Sequence, residues 1–361
     1  MRKLFLLLTT LCASALAQAI TTFTYGNLNY FTQDDGSVYV TYKDRSSHYE
    51  DATINVPETV EFEGVTYTVT GIGAGAFRGC KNLAEIHIPA TVDFIGNNAF
   101  NGCENVEEFQ LPNNLKTIDA AAFFACSKIT EINIPGSVTK LGKQCFASCK
   151  ALKNITVPSS VVDFGENMFQ GCTALETVEL PQSVVTIPEY TFDHCVSLTT
   201  ISFSNKLEIV DNYAFQDCKK LEKVELPESL RTIGTYAFSG CDLFTSATIP
   251  STVTLIKKFA YKYCAALRDV YVKSSTPCPI YGDTFNKTTN TIHVPKGSIE
   301  SYRAAIYWQD LKLVDDLDET NGVMQIESES HESTLYSVSG VKVTNPRKGQ
   351  VLIKKGKKVV Y

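Results

Sequence analysis

The sequence predicts a β solenoid of 23-residue coils, with short parallel strands and few helices. A β cap closes its N-terminal end, a short helix closes the other, and a small β tail follows. Two patterns predict this fold. Cys80, Cys103, Cys126, Cys149, Cys172, Cys195, Cys218, Cys241 and Cys264 each lie 23 residues from the next, and a constant period of that length marks stacked supersecondary units. An aromatic residue stands three places before each of them, phenylalanine from Phe77 to Phe238 and Tyr261 in the ninth.

Each coil then follows from local physics. Three residues after the cysteine comes an apolar residue, such as Leu83, Val106 or Ile129, and an apolar-x-apolar unit such as Ile86-His87-Ile88 follows. That alternation makes a strand of three or four residues, two side chains inward and the middle one outward. Proline ends the strand in seven of nine coils, Ser204 and Lys273 being the exceptions. A second apolar pair spaced by three, such as Val92 and Ile95 or Leu115 and Ile118, supplies the opposite wall. Glycines at Gly73, Gly96, Gly142, Gly165 and Gly234 mark a turn where a side chain or a negative φ does not fit. One coil buries too little to fold alone, so the array needs neighbours and dedicated ends.

The ends are legible as well. In residues 18–66, Phe23, Tyr25, Tyr30, Phe31, Tyr39 and Tyr42 alternate with polar residues and predict a cap sheet. Ile54-Asn55-Val56-Pro57 copies the strand unit more than one period early. A hairpin through Val60, Phe62, Val65, Tyr67 and Val69, turning at Glu63-Gly64, fills the excess. Nine repeats occupy 67–273. In 274–315, Ile292-His293-Val294-Pro295 is a degenerate strand unit, and a helix from Ser298 to Trp308, N-capped by Ser298, lays Tyr302, Ala305, Ile306 and Trp308 over the open edge. Residues 316–361 read as a linker and a small β module. Asp315 to Glu332 holds seven acids and no Lys or Arg, and Asn345 to Tyr361 holds six bases and no acid. This is a linker followed by strands whose lysines blunt an edge, or an attachment tail.

Residues 1–17 read as a cleaved secretory signal: a cationic start at Arg2-Lys3, an apolar run from Leu4 to Leu16, and the small-x-small exit Ala15-Leu16-Ala17. Its removal leaves 31 basic against 39 acidic residues, changing the formal net charge from −6 to −8. With 20% charged residues and an acidic balance, the chain lacks the basic surface of a nucleic-acid binder. No later stretch is apolar for the 18 residues that a transmembrane helix needs.

These units resemble the BspA-like leucine-rich repeats of bacterial secreted and surface proteins, and the closing segment Val294-Pro295-Lys296-Gly297-Ser298 with Tyr302 and Trp308 is similar to that family's usual end. The resemblance covers about Ala52 to Asp315 and implies a leucine-rich-repeat-like solenoid and adhesin-like function. Leu335-Tyr336-Ser337-Val338-Ser339-Gly340 through Ile353 is similar to C-terminal β modules of secreted Bacteroidetes proteins, which implies export.

Chemistry is sparse. Neighbours in a cysteine ladder point the same way, so buried reduced thiols acting as small apolar pegs are the expected state, with Cys145–Cys149 and Cys264–Cys278 the pairs to test for a bridge. No C-x-x-C pair and no histidine cluster supports a metal, and no catalytic residue or cofactor is expected. Gly71-Ile72-Gly73-Ala74-Gly75 is the ordinary turn before Ala76-Phe77, not a phosphate loop. The outward strand positions are the candidate binding face: Glu85, His87, Glu108, Gln110, Glu131, Asn133, Glu179, Glu225 and Tyr271. Glu85, Glu108 and Glu131 are expected to stack about 5 Å apart. Such a column of like charges is relieved by solvent, by a cation or by a basic partner. The sequence thus predicts a non-catalytic, exported or surface-attached protein recognising a protein or glycan, such as a host extracellular-matrix or mucosal component. The other readings are a structural envelope spacer and, less favoured, a polysaccharide-acting solenoid enzyme, which would need a cluster of acids with histidine, arginine or aromatic neighbours breaking the ladder, and the sequence shows none.

Overall fold

The computed structural model describes residues 21–44 and 48–318 and, in the C-terminal part, the strands at 335–337, 342–343, 351–354 and 357–360. The export signal expected at 1–17 lies outside the described residues. The chain forms two units, Met1–Leu317 and Asp318–Tyr361.

The first unit begins with an antiparallel meander of Thr22–Tyr25 (β1), Leu28–Thr32 (β2) and Val38–Thr41 (β3). Of its aromatics, Phe23 and Tyr30 are buried, whereas Tyr25, at the strand end, and Tyr42, beyond β3, are exposed. Thr53–Asn55 (β4) is the displaced strand unit and pairs in parallel with Glu85–His87, placing Ile54 beside Ile86. The hairpin of Thr59–Phe62 (β5) and Val65–Ile72 (β6) turns at Glu63 and Gly64. Both turn residues have positive φ, 51° and 78°, as a two-residue hairpin compatible with strand twist requires.

Matching residues of successive coils form columns. The rings of Phe77, Phe100, Phe123, Phe146, Phe169, Phe192, Phe215 and Phe238 are fully buried and stack with centroids between 5.1 and 6.0 Å. Tyr261 continues the column, as does Phe285, a member hidden from the sequence period by one inserted residue. Tyr49 lies against Phe77 at one end, and Trp308, whose indole N–H donates to the Cys278 carbonyl at 2.7 Å, lies against Phe285 at the other. The thiols are hydrogen-bond donors as well as pegs. Cys103 Sγ donates to the Phe77 carbonyl at 3.1 Å, and the same bond recurs down the column to Cys264 and Phe238.

The second apolar pair forms two-residue parallel strands, including Phe94–Ile95, Thr117–Ile118 and Lys140–Leu141, with Ile95, Ile118 and Leu141 fully buried. The glycines before the turn sit there because neighbouring backbones approach closely. A Cβ on Gly142 would lie 2.3 Å from the Ala120 nitrogen, and one on Gly234 2.4 Å from the Asp211 carbonyl carbon. The positive φ expected as an alternative at these glycines falls instead on two later columns. One runs Gly75, Asn98, Ala121, Gln144, Asn167, Tyr190, Tyr213, Tyr236, Phe259, and the other Gly79, Gly102, Ala125, Ser148, Gly171, His194, Asp217, Gly240, Tyr263. Non-glycine residues tolerate this conformation because their N–H groups bond to the next coil. Ala121 donates to the Lys143 carbonyl and Ala125 to that of Ala147, both at 2.8 Å.

The C-terminal closure differs from expectation in three respects. The helix is confined to Ile299–Ala304 (α1), and Ser298 does not cap it through its side chain; its hydroxyl donates to the Pro295 carbonyl instead. Tyr302 and Trp308 are buried as expected, but Ile306, beyond the end of the helix, is 73% exposed. The solenoid also runs past the expected linker start at 316, because Lys312–Leu317 is its last strand, parallel to Thr291–Pro295. The second unit is a four-stranded antiparallel sheet in the order 342–343, 335–337, 351–354, 357–360.

Candidate functional site

The outward strand face is assembled by the in-out alternation of each coil. Glu85 and His87 flank buried Ile86, Glu108 and Gln110 flank buried Phe109, and Glu131 and Asn133 flank buried Ile132. Glu179 and Glu225 are exposed and Tyr271 is half-buried. The even column of acids is not formed as one hydrogen-bonded ladder, however. Glu85–His87 pairs only with β4, and the next strands on this face are Asn154–Thr156, Thr177–Glu179 and Thr200–Ile201. Glu108, Gln110, Glu131, Asn133 and Glu225 lie in segments without regular strand.

The first interruption lies at Phe109. Phe109 occupies the inward position that Ile86 and Ile132 hold in the adjoining coils, and its ring packs 4.9 Å from Phe100 and 4.8 Å from Phe123. At this interruption lies a shallow depression of about 410 Å³ lined by Glu85, His87, Glu107, Glu108 and Gln110, with a second of about 370 Å³ beside it at Gln110 to Asn114. Four predicted face residues are thus brought together at one concavity. His87 Nε2 lies 3.3 Å from Glu85 Oε1.

The other predicted residues are separately engaged. Glu179 accepts from Thr156 Oγ1 at 3.1 Å. Glu225 pairs with Lys223 at 2.8 Å, and that hydrogen bond and charge hold its carboxyl below the usual range. Tyr271 stacks on His293 at 4.6 Å, and His293 presents its two ring nitrogens to Asp316 at 2.8 Å and Asp269 at 3.2 Å. Sequence reasoning missed that cluster, because Asp316 lay in the supposed linker. It also missed the aromatic and acidic residues at Glu189 to Asp193 and at Asp217, since they fall on the turn side.

All eleven cysteines after the expected signal are free, Cys145, Cys149, Cys264 and Cys278 included. Burial pushes Cys80 and Cys278 up to about 11 and Cys126, Cys172 and Cys264 up to about 12, so these thiols are poor nucleophiles and poor metal ligands. Among the described residues no group of three His, Cys, Asp or Glu side chains is arranged to hold a metal, and no helix is long and apolar enough to cross a membrane.

The BspA type leucine rich repeat region matches in six copies over residues 70–198 and 185–307. A leucine-rich repeat protein from Bacteroides ovatus shares 25% identity and a TM-score of 0.63, over 81% of this chain and 90% of that one. A leucine rich cell surface protein from Faecalibacterium prausnitzii shares 21% identity and a TM-score of 0.45, over 82% and 94%. A comparison with curated proteins returns no match. Repeat matches across 70–307, on coils whose cysteine and phenylalanine columns are continuous, place the chain in the BspA-type leucine-rich-repeat family.

Proposed function

We propose that the protein is exported and acts, released or attached at the cell surface, as a non-catalytic adhesin-like module that recognises a protein or glycan partner through its strand face. The observation that carries this reading is the depression at the Phe109 interruption. Glu85, His87, Glu108 and Gln110 converge there, and donors and acceptors gathered at a concavity can be satisfied by one ligand. Glu108 and Glu131 have no lysine or arginine partner among the described residues, so their charge is available to a partner. A surface this shallow suits a macromolecule better than an enclosed small substrate.

The test is capture from host matrix, mucus and bacterial envelope fractions, followed by affinity measurement with Glu108→Lys and Glu131→Lys combined. Weaker binding at an unchanged melting temperature is expected, because both side chains are exposed. Unaltered affinity removes this face, and no saturable partner in any fraction favours the structural spacer.

A further inference from the structure

A second surface lies on the turn side of the coils, away from the strand face. Tyr190, Tyr213, Tyr236 and Phe259 occupy the first left-handed column in four consecutive coils, and their rings stack at 4.5, 5.1 and 4.6 Å. Coil geometry does not demand rings there, since Gly75, Asn98, Ala121, Gln144 and Asn167 fill the same column upstream. The rings are half-buried, and Tyr263, in the second left-handed column, is 65% exposed. Because the rings cover one another's faces, they offer edges and phenol oxygens to an approaching partner.

The charge is unbalanced at the Tyr190 end of this stripe, whereas farther along Lys257 Nζ reaches Asn212 Oδ1 at 3.5 Å. Between Lys153 and Lys206 the sequence has six acids and no Lys or Arg. Two of them frame Tyr190, namely Glu189 and Asp193, and Asp217 follows one coil on. Asp193 is buried; it accepts from Gln170 at 2.9 Å and contacts His194 at 2.7 Å, while His194 lies 3.6 Å from Asp217. Burial first, and then Tyr213, Glu189 and Asp193, push the Tyr190 hydroxyl above its ordinary value. Other acids are matched by lysines of neighbouring coils, Glu166 of this same stretch among them: Lys81 with Glu104, Lys143 with Glu166, and Lys262 with Asp283. Among the described residues no Lys or Arg pairs with Glu189, Asp193 or Asp217. The cations are missing where the aromatic stripe begins.

We propose that this stripe docks a cationic polypeptide segment laid along the solenoid axis across Tyr190, Tyr213 and Tyr236. Lysine and arginine suit it because their apolar stems cover ring edges while their charged heads reach carboxylates and phenol oxygens. At the end of the column, where the last ring face is not covered by another ring of the stripe, it already takes a cation, Lys258 Nζ lying 4.6 Å from the Phe259 centroid. A neutral glycan would use the tyrosines but would leave the absent cations without a role.

The test uses the intact chain with fluorescein-labelled decalysine, and with decaglutamate and cellohexaose as controls, read by anisotropy at low and physiological salt. The repeat supplies its own replacements. Glu189→Asn, Asp193→Gln and Asp217→Gly each install the residue found in that column at Asn212, Gln216 and Gly240. Saturable decalysine binding is expected, with affinity falling about tenfold in the triple variant and its salt dependence flattening. Tyr190→Asn with Tyr213→Asn, a residue that Asn98 and Asn167 show the column accepts, is expected to weaken binding that persists at physiological salt. If the triple variant melts early, Asp217→Gly alone is the arm to read. The proposal is overturned by decalysine binding no tighter than that of decaglutamate, by an equal loss in strand-face Glu108→Gln, or by tyrosine-dependent capture of cellohexaose without decalysine.

Discussion

Replacing Phe146 by alanine tests whether the buried column holds the coils together. Its ring is fully buried, 5.5 Å from Phe123 and 6.0 Å from Phe169, and nearly parallel to both. Truncation removes a buried aromatic side chain and leaves a cavity that the flanking rings, fixed by inter-coil hydrogen bonds, cannot close, a change that costs about 3–5 kcal/mol. The Phe146 N–H still donates to the Met168 carbonyl, so the loss is one of packing. Urea denaturation followed by circular dichroism and by the emission of Trp308, the single tryptophan, measures it. Val162→Ala, at a side chain 83% exposed, is the control, expected within about 0.5 kcal/mol of the parent. A Phe146→Ala loss no larger than the control's would refute the column as a source of stability.

The thiols and the turn glycines give further expectations. In the native state Cys126, Cys172 and Cys264 should resist a thiol reagent at pH 8 and react on unfolding, as absorbance titration would show. Their folded values lie above those of an unfolded chain, so their contribution to stability is complete below about pH 8.5 and declines as pH rises toward 12. Urea midpoints that rise between pH 8 and 10 would contradict this. Gly142→Ala should cost about 1–3 kcal/mol through backbone contact, whereas Gly102→Asn, in a left-handed column where a Cβ would meet only the Gly79 backbone at 3.8 Å, should be tolerated; melting temperatures decide between them.

The repeat was legible because Cys and Phe recur where nothing else fits, and subtraction of residue numbers exposes the register. Strand interruptions were not legible, since Phe109, Ile132 and Val224 satisfy the same apolar pattern as the inward residues of the paired strands. The left-handed columns escaped because backbone bonding to the next coil imposes φ on Gly, Asn, Ala, Gln and Tyr alike, leaving no single residue type to read. Of the candidate site, outward exposure was readable from alternation. Grouping Glu85 and His87 with Glu108 and Gln110, apart from Glu179, Glu225 and Tyr271, required the depression that they line together. The cluster around Tyr190 gathers acids, a histidine and aromatics on the turn side of the coils, where the strand-face alternation gives no reason to look.

Deleting one whole period, residues 127–149, addresses the stacked-coil claim most directly, because it splices Cys126 to Lys150 and leaves every column in phase. The shortened chain is expected to melt cooperatively with its thiols protected, whereas removal of only residues 127–138 should abolish both. Equal collapse of the two deletions would contradict the account.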